Sequence, residues 1–538
     1  MSLPQVRTPP KKKQCRVREP RPNCGRKPFT EKFEQLVPTV EEFVRGNGFK
    51  AHEKRRSATG NTCGTSLKQL KKHVIENVSD LDTVSETTLR RLMDPPSEAR
   101  NTKDRYKGLV KAKLAKKRND VRKGNMDGHY YASRVRYRLE FGTEFEDETL
   151  MLSADCMNKV NIGGLAVSRY HQLRRFFPAE DSPNFLDHDF PVSKGYKITP
   201  SGYVVLSRKE SVNPITSDKL GRTVFQFPRT GPAYIFNRVE SFRSVNIQSH
   251  VNDLDTILNR EGNGKRVIIL CVDGGSDWNT KSWTAQLFLG RLFKRRNLDI
   301  LCATTYGPGL SAFNMIEHLW SPLSNKLSAV TLPACIPGET VPPSAQTGIT
   351  EKARLEKEAL VFNAAMERCG GYWEDSSFDG FPVSTFTEPC NQMDTPWSDY
   401  AEVHNVLKAP TQKKLRDHPE LMAELKFISN HCDRRIGEFT LMKCTNLSCD
   451  HCTTNPPQGK AIASIFDHGG MPTPVVDRSF PGPDVHYYTY MQAMQRPLQT
   501  PDENMEKFSA LGLGRCSACK DVFSSKQDQH RHMAIIHR

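Results

Sequence analysis

Between Lys265 and Leu327 the chain alternates two strand-like runs with two helical ones, and this alternation restricts the fold more than any other stretch. Val267 to Val272 is a short, β-branched apolar run of the length expected of a strand covered on both faces, and it ends on Asp273 and two glycines. From about Lys281 to Lys294 a helix is predicted, with Trp283, Leu287, Leu289 and Phe293 as its apolar side. Leu298 to Ala303 reads as a second buried strand, followed by a Gly-Pro-Gly loop and a helix from Ser311 that carries Glu317. Along that helix Ile316, Leu319, Trp320, Leu323 and Leu327 fall on one stripe at 3.6-residue spacing, with Glu317 on its flank beside Asn314 and Ser321. Strand, helix, strand, helix is the order of an α/β sheet. A carboxylate at a strand end and another on a following helix suggest a metal site.

The words around those carboxylates, DGG-S-x-W-N from Asp273 and Y-x-P-G-x-S-x-x-N-x-I-E-H-x-W from Tyr306, resemble the second and third acidic blocks of the DDE transposases. The similarity is to the mariner-like enzymes and a related insertion-sequence group, in which N-x-I-E marks the third acid. It covers roughly residues 146–330, and the interval from Asp273 to Glu317 is longer than is typical of mariner-like enzymes. The resemblance implies an RNase H-like core over residues 126–330, a mixed sheet flanked by helices. It also implies a first acid on the opening strand, which TLMLSADCMNK (residues 149–159) supplies as Asp155. Further strands are predicted at Gly202–Arg208 and Ala233–Val239, a helix at Asn246–Arg260, and loop-rich chain from Arg169 through Asp189.

Asp155, Asp273 and Glu317 are then the catalytic triad. They would hold two Mg²⁺ or Mn²⁺ ions, Asp155 bridging, because such hard cations take an oxygen shell. The implied chemistry is DNA strand cleavage and transfer. Asp277 lies past the glycine turn, outside the matched motif. The alternative reading is a domesticated, transposase-derived nuclear DNA-binding or zinc-finger regulatory protein without catalysis.

Charge is unevenly spread. Residues 1–125 carry 31 Lys+Arg against 14 Asp+Glu, and the remainder of the chain is close to neutral. A localised basic block reads as a nucleic-acid footprint, since each neutralised phosphate releases counterions. Residues 1–28 are Pro/Arg/Lys-rich and expected to be a disordered basic tail, with Lys11-Lys12-Lys13 resembling a nuclear address. Residues 29–125 are expected to form an all-α helix-turn-helix region and basic linker. A capping box of Thr39 and Glu42 and another of Ser66 and Gln69 open helices, the second over Leu67–Asn77, and Ser85 caps a short helix, Glu86–Met93. Thr87, Thr88, Arg90 and Arg91 on that last helix, with the basic loop Lys54-Arg55-Arg56, are the candidate DNA contacts; residues 103–123 would grip phosphates. The expected partners are double-stranded DNA and a second copy in a homodimer. The chain has no apolar run of membrane-spanning length, and the expected location is the nucleus.

Residues 331–430 read as a mixed helical and irregular extension, helix-like over 350–368. Beyond it, Cys444, Cys449 and Cys452 within 431–455 are close enough to share a zinc ion, with Cys432, His431 or His451 as fourth ligand. Residues 510–538 contain Cys516-x2-Cys519-x12-His532-x4-His537, the spacing of a small ββα Cys2His2 zinc finger, with Phe523 at a core position and Gln529 where the helix leucine is usual.

Overall fold

The computed structural model describes residues 29–49, 61–63, 67–93, 105–110, 112–114, 127–164, 166, 196–208, 213–307, 310–328, 330–390, 397–480, 485–498, 514–519, 521–523 and 526–537. The tail 1–28, Lys54, Arg55 and Arg56, the segment 169–189 and most of 103–123 lie outside them. The chain divides into two compact units, Met1–Gly48 with Gly60–Ala115, and Phe49–Thr59 with Lys116–Arg538.

In the first unit α1 (Leu36–Asn47), α2 (Leu67–Asn77) and α3 (Glu86–Leu92) gather around Leu36, Val40, Leu70, Val74, Leu89 and Leu92. As expected, Ser85 caps α3, its side chain accepting from the Thr88 N–H at 3.0 Å. Thr39 does not cap α1. The helix starts earlier, at Leu36, and Thr39 N–H already donates to the Gln35 carbonyl. Pro38 is tolerated because a first-turn N–H has no intrahelical partner to lose.

The second unit is built on a ten-stranded mixed sheet. Its central strands are β1 (Thr149–Cys156), β2 (Lys197–Val205), β3 (Ala233–Val239), β4 (Val267–Val272) and β5 (Ile300–Thr305). They lie side by side in the order β3-β2-β1-β4-β5. The hairpin pairs β3/β2 and β2/β1 are antiparallel, whereas β4 runs parallel to both β1 and β5. Every residue of β4 is buried. Val267, Ile269 and Cys271 face one layer and Ile268, Leu270 and Val272 the other, which is why the run reads as continuously apolar.

The helices fall on both faces. α4 (Gly128–Glu144), α7 (Glu317–Lys326) and α8 (Glu351–Glu374) cover the first; α5 (Ile247–Glu261), α6 (Trp283–Arg295) and α9 (Pro419–His431) cover the second. α6 begins at Trp283, capped by Ser282, rather than at Lys281.

The sheet continues past residue 330. β6 (Phe381–Thr387), in the segment expected to be irregular, pairs parallel with β3. On the other flank β8 (Glu438–Met442) pairs antiparallel with β5, and β7 (Cys432–Arg435) forms the edge. Buried Arg138 binds Glu438 through two hydrogen bonds, at 2.7 and 3.0 Å, tying α4 to β8. Burial alone would raise the Glu438 carboxyl, but Arg138 and Arg134 outweigh it and hold the group at about 2.

Candidate metal centres

The acidic centre follows from strand register. β1 and β4 are parallel neighbours with Ser153 opposite Cys271, so two residues further on Asp155 and Asp273 leave the sheet side by side. Asp273 then enters a glycine turn, its Oδ1 accepting the Gly275 N–H at 2.8 Å, and Gly274 takes φ +79°.

The third acid is brought in by the residues before it. Asn314 Nδ2 donates to the Ala154 carbonyl at 3.0 Å, and its Oδ1 accepts from Ser153 Oγ at 2.6 Å. The same Ser153 Oγ accepts the Ile316 N–H at 3.0 Å. These buried bonds staple the start of α7 to β1, so N-x-I-E works here as a positioning device for Glu317. They also explain why the helix expected from Ser311 is broken: a short 3-10 turn covers Ser311–Phe313, Asn314 is extended, and α7 starts at Glu317. Trp320, one turn on, lies against β2 at Gly202, where a Cβ would come within 2.2 Å of the indole. The whole stripe predicted for this helix, from Ile316 to Leu327, is buried.

The three carboxylates act on one another. Burial, then the charges of Asp273 and Glu317, push the Asp155 carboxyl up to about 8; its Oδ1 accepts the Cys156 N–H at 2.7 Å and it hydrogen-bonds Glu317. Asp155 is thus a half-buried carboxyl beside two further carboxylates, a repulsion that a bound cation would offset.

The first Cys/His centre brings together His431, Cys444, Cys449 and Cys452, whose ligand atoms all lie within 4.8 Å of one another. His431 closes α9. Its ring stacks on Phe427 and its Nδ1 donates to the Phe427 carbonyl at 2.7 Å, which leaves Nε2 facing Cys449 Sγ at 3.4 Å and Cys452 Sγ at 3.3 Å. This donor set suits tetrahedral zinc, with a backbone carbonyl orienting the imidazole. Cys432 is not a member: its half-buried thiol points to Asp521 Oδ2 at 3.8 Å. Strand geometry is the reason, because successive side chains of β7 alternate faces while His431 still belongs to the helix.

The second Cys/His centre gathers Cys516, Cys519, His532 and His537, again within 4.8 Å. Cys519 Sγ is 3.2 Å from His532 Nε2, and the two histidine Nε2 atoms are 3.0 Å apart. A two-strand hairpin, Gly514–Arg515 with Val522–Phe523, and α10 (Lys526–Ile536) carry the ligands. This segment is docked on the core. The Arg434 N–H of β7 donates to Asp521 Oδ1 at 3.4 Å, the Arg434 guanidinium lies over Phe523 and pairs with Asp528 at 3.5 Å, and Ile535 is buried in the core layer of α6 and α9. Arg434 covers the Phe523 ring, and Ile535 anchors α10 in the main core.

A third cluster has no counterpart in the sequence reading: Cys156, His250 and Asp277, within 4.8 Å of one another. They come from β1, α5 and the turn after β4, with no diagnostic spacing, and only the sheet joins them.

No protein-family model matches this chain, and neither the curated proteins nor the solved structures compared with it give a match.

Proposed function

We propose that the second unit is a metal-dependent phosphoryl-transfer enzyme that cuts and joins DNA strands. The observation that carries this reading is the meeting of Asp155, Asp273 and Glu317 at the ends of two adjacent parallel strands and the start of a stapled helix. The order β3-β2-β1-β4-β5, with its two antiparallel and two parallel pairings, is the one expected of an RNase H-like core and supports it further.

Asp155 would face both ions, with Asp273 and Glu317 each completing one. When bound, two such ions lower the pKa of an attacking hydroxyl and steady the leaving oxygen. The chain itself holds the carboxylates rigid: the Ser153–Asn314 staple fixes Glu317, and the glycine turn fixes Asp273. Preorganised charge costs no reorganisation during reaction.

The first unit would deliver DNA. On α3, Leu89 and Leu92 are buried while Thr87, Arg90 and Arg91 are exposed, so one face is free for a duplex, as a helix-turn-helix requires. In this reading the basic residues carry the salt-dependent affinity, and the protein works in the nucleus.

The test is Mg²⁺- or Mn²⁺-dependent nicking of a DNA substrate by the full chain. Asp155→Asn, Asp273→Asn and Glu317→Gln should each lower the rate at least about a hundredfold without changing DNA binding. Glu240→Gln, which removes an exposed partner of Lys159, should cut normally. Activity surviving in any triad variant, or no metal-dependent cutting by the wild type, overturns the assignment.

A further inference from the structure

The cluster at Cys156, His250 and Asp277 has a hydrogen-bond inventory that does not close with neutral groups. The Tyr203 hydroxyl donates its one proton to Asp253 Oδ2 at 2.8 Å. Asp253 is in turn ion-paired with buried Arg238. Tyr203 must therefore accept at its remaining contact, His250 Nδ1 at 2.6 Å, so Nδ1 carries the proton. A neutral imidazole fixed in that tautomer presents a bare lone pair at Nε2. Yet Nε2 faces Asp277 Oδ2, itself an acceptor, at 3.0 Å. The Cys156 sulfur lies 3.5 Å from the same oxygen. The nitrogen and the oxygen need a shared cation between them, and the sulfur, which as a thiol donates to Asp277, is within reach of the same cation.

Two features fit a metal as that cation. Nitrogen, sulfur and oxygen donors converge within 4.8 Å as in the two Cys/His centres, and the separations of 3.0 and 3.5 Å suit the edges of a tetrahedron around zinc. The outer contacts are also those of a metal-bound imidazole, its second nitrogen donating into the Tyr203–Asp253–Arg238 chain and its ring stacked on Trp278 at 4.2 Å.

We propose that Cys156, His250 and Asp277 form a third zinc site, with one position left for water or another outside ligand. The mixed sulfur, nitrogen and oxygen donors select zinc over the hard cations that suit three carboxylates. The site adjoins the acidic centre, since Cys156 follows Asp155. A methyl built on Gly275 would lie 3.0 Å from Asp277 Oδ1 and 3.2 Å from both oxygens of Asp273. Zinc there would be a fixed positive charge beside the triad. The site stands independently of the strand-transfer reading, because it is counted by metal content and not by DNA cutting.

Zinc per folded full-length chain is measured by elemental analysis after dialysis against excess Mg²⁺, which occupies the carboxylates. The wild type should hold three zinc ions, and Cys156→Ser and Asp277→Asn two each, with an unchanged circular dichroism spectrum. Tyr203→Phe keeps the ligands but loses the outer contact, and should weaken one of the three sites about 10–100-fold in a chelator titration. Two ions in the wild type, or three in the Cys156→Ser and Asp277→Asn variants, overturns the site in favour of a metal-free imidazolium–carboxylate pair. If Cys156→Ser fails to fold, the wild-type count and Asp277→Asn still decide it.

Discussion

The two Cys/His centres bring similar ligands together on scaffolds of very different size. His431 ends a helix packed on the main sheet, and its three cysteine partners follow directly from β8, so the core positions that centre before any metal arrives. Among the described residues the C-terminal centre has a hairpin of two two-residue strands and α10 of its own, with Phe523, Val522 and a few neighbours as its interior. A core of that size supplies too little burial to offset the entropy of ordering the segment. In the first centre a metal would be a clasp on a built frame. In the second it would be a condition of folding.

The largest effect expected from this contrast is on chelation. Stripping zinc from the full chain should abolish amide-exchange protection over residues 526–536, since binding and folding are one event in such a small domain. Protection over 419–431 should fall only at the helix end. Equal loss in both segments would break the comparison.

Next in size is the frame under the first centre. Glu438→Gln leaves Arg138 and Arg134 buried without their countercharge and should destabilise the unit by about 3–5 kcal/mol in denaturant unfolding. The same group sets a pH dependence. Its folded pKa of about 2 lies below the ordinary value of 4.5, so its stabilisation is complete above pH 4.5 and is lost as pH falls toward 2. The variant should lack that part of the acid limb; an identical limb in both proteins would remove Glu438 from the account.

The smallest effect tests the docking. If Arg434 and Ile535 replace the interior that Gln529 fails to provide, Gln529→Leu should add less than the roughly 1.5–3 kcal/mol of a fully buried leucine. Arg434→Ala should then loosen residues 514–537 in exchange experiments while their zinc is retained. A full leucine gain would mean that docking compensates for nothing.

What could be read in the sequence follows the same division between local and assembled structure. β4, β5 and the stripe of α7 announce themselves because burial on both faces, or on one helical face, leaves a periodic record. Asp273 and Glu317 stand out as carboxylates at a strand end and on a following helix, whereas Asp155 follows only from the resemblance. β6 was not legible: Phe-Pro-Val-Ser-Thr-Phe-Thr is only half-buried, and its pairing with β3 spans about 150 residues. α4 was equally hidden, since Arg134, Arg138 and Glu140 are buried there and erase the amphipathic signal. Cys156, His250 and Asp277 have meaning only once β1, α5 and the β4 turn are in place. The sixth strand and that cluster are products of assembly, which no local pattern encodes.

The docked C-terminal segment also bears on how copies of this chain behave toward one another. β7 is an edge strand, and such an edge presents unpaired N–H and C=O groups to any extended chain that reaches it. Here the Arg434 N–H is taken up by the Asp521 carboxylate, and the hairpin carrying Phe523 covers the strand. The segment therefore serves as a plug for an otherwise open sheet. With zinc holding the segment, its loss would uncover a template for strand addition and would couple zinc availability to solubility.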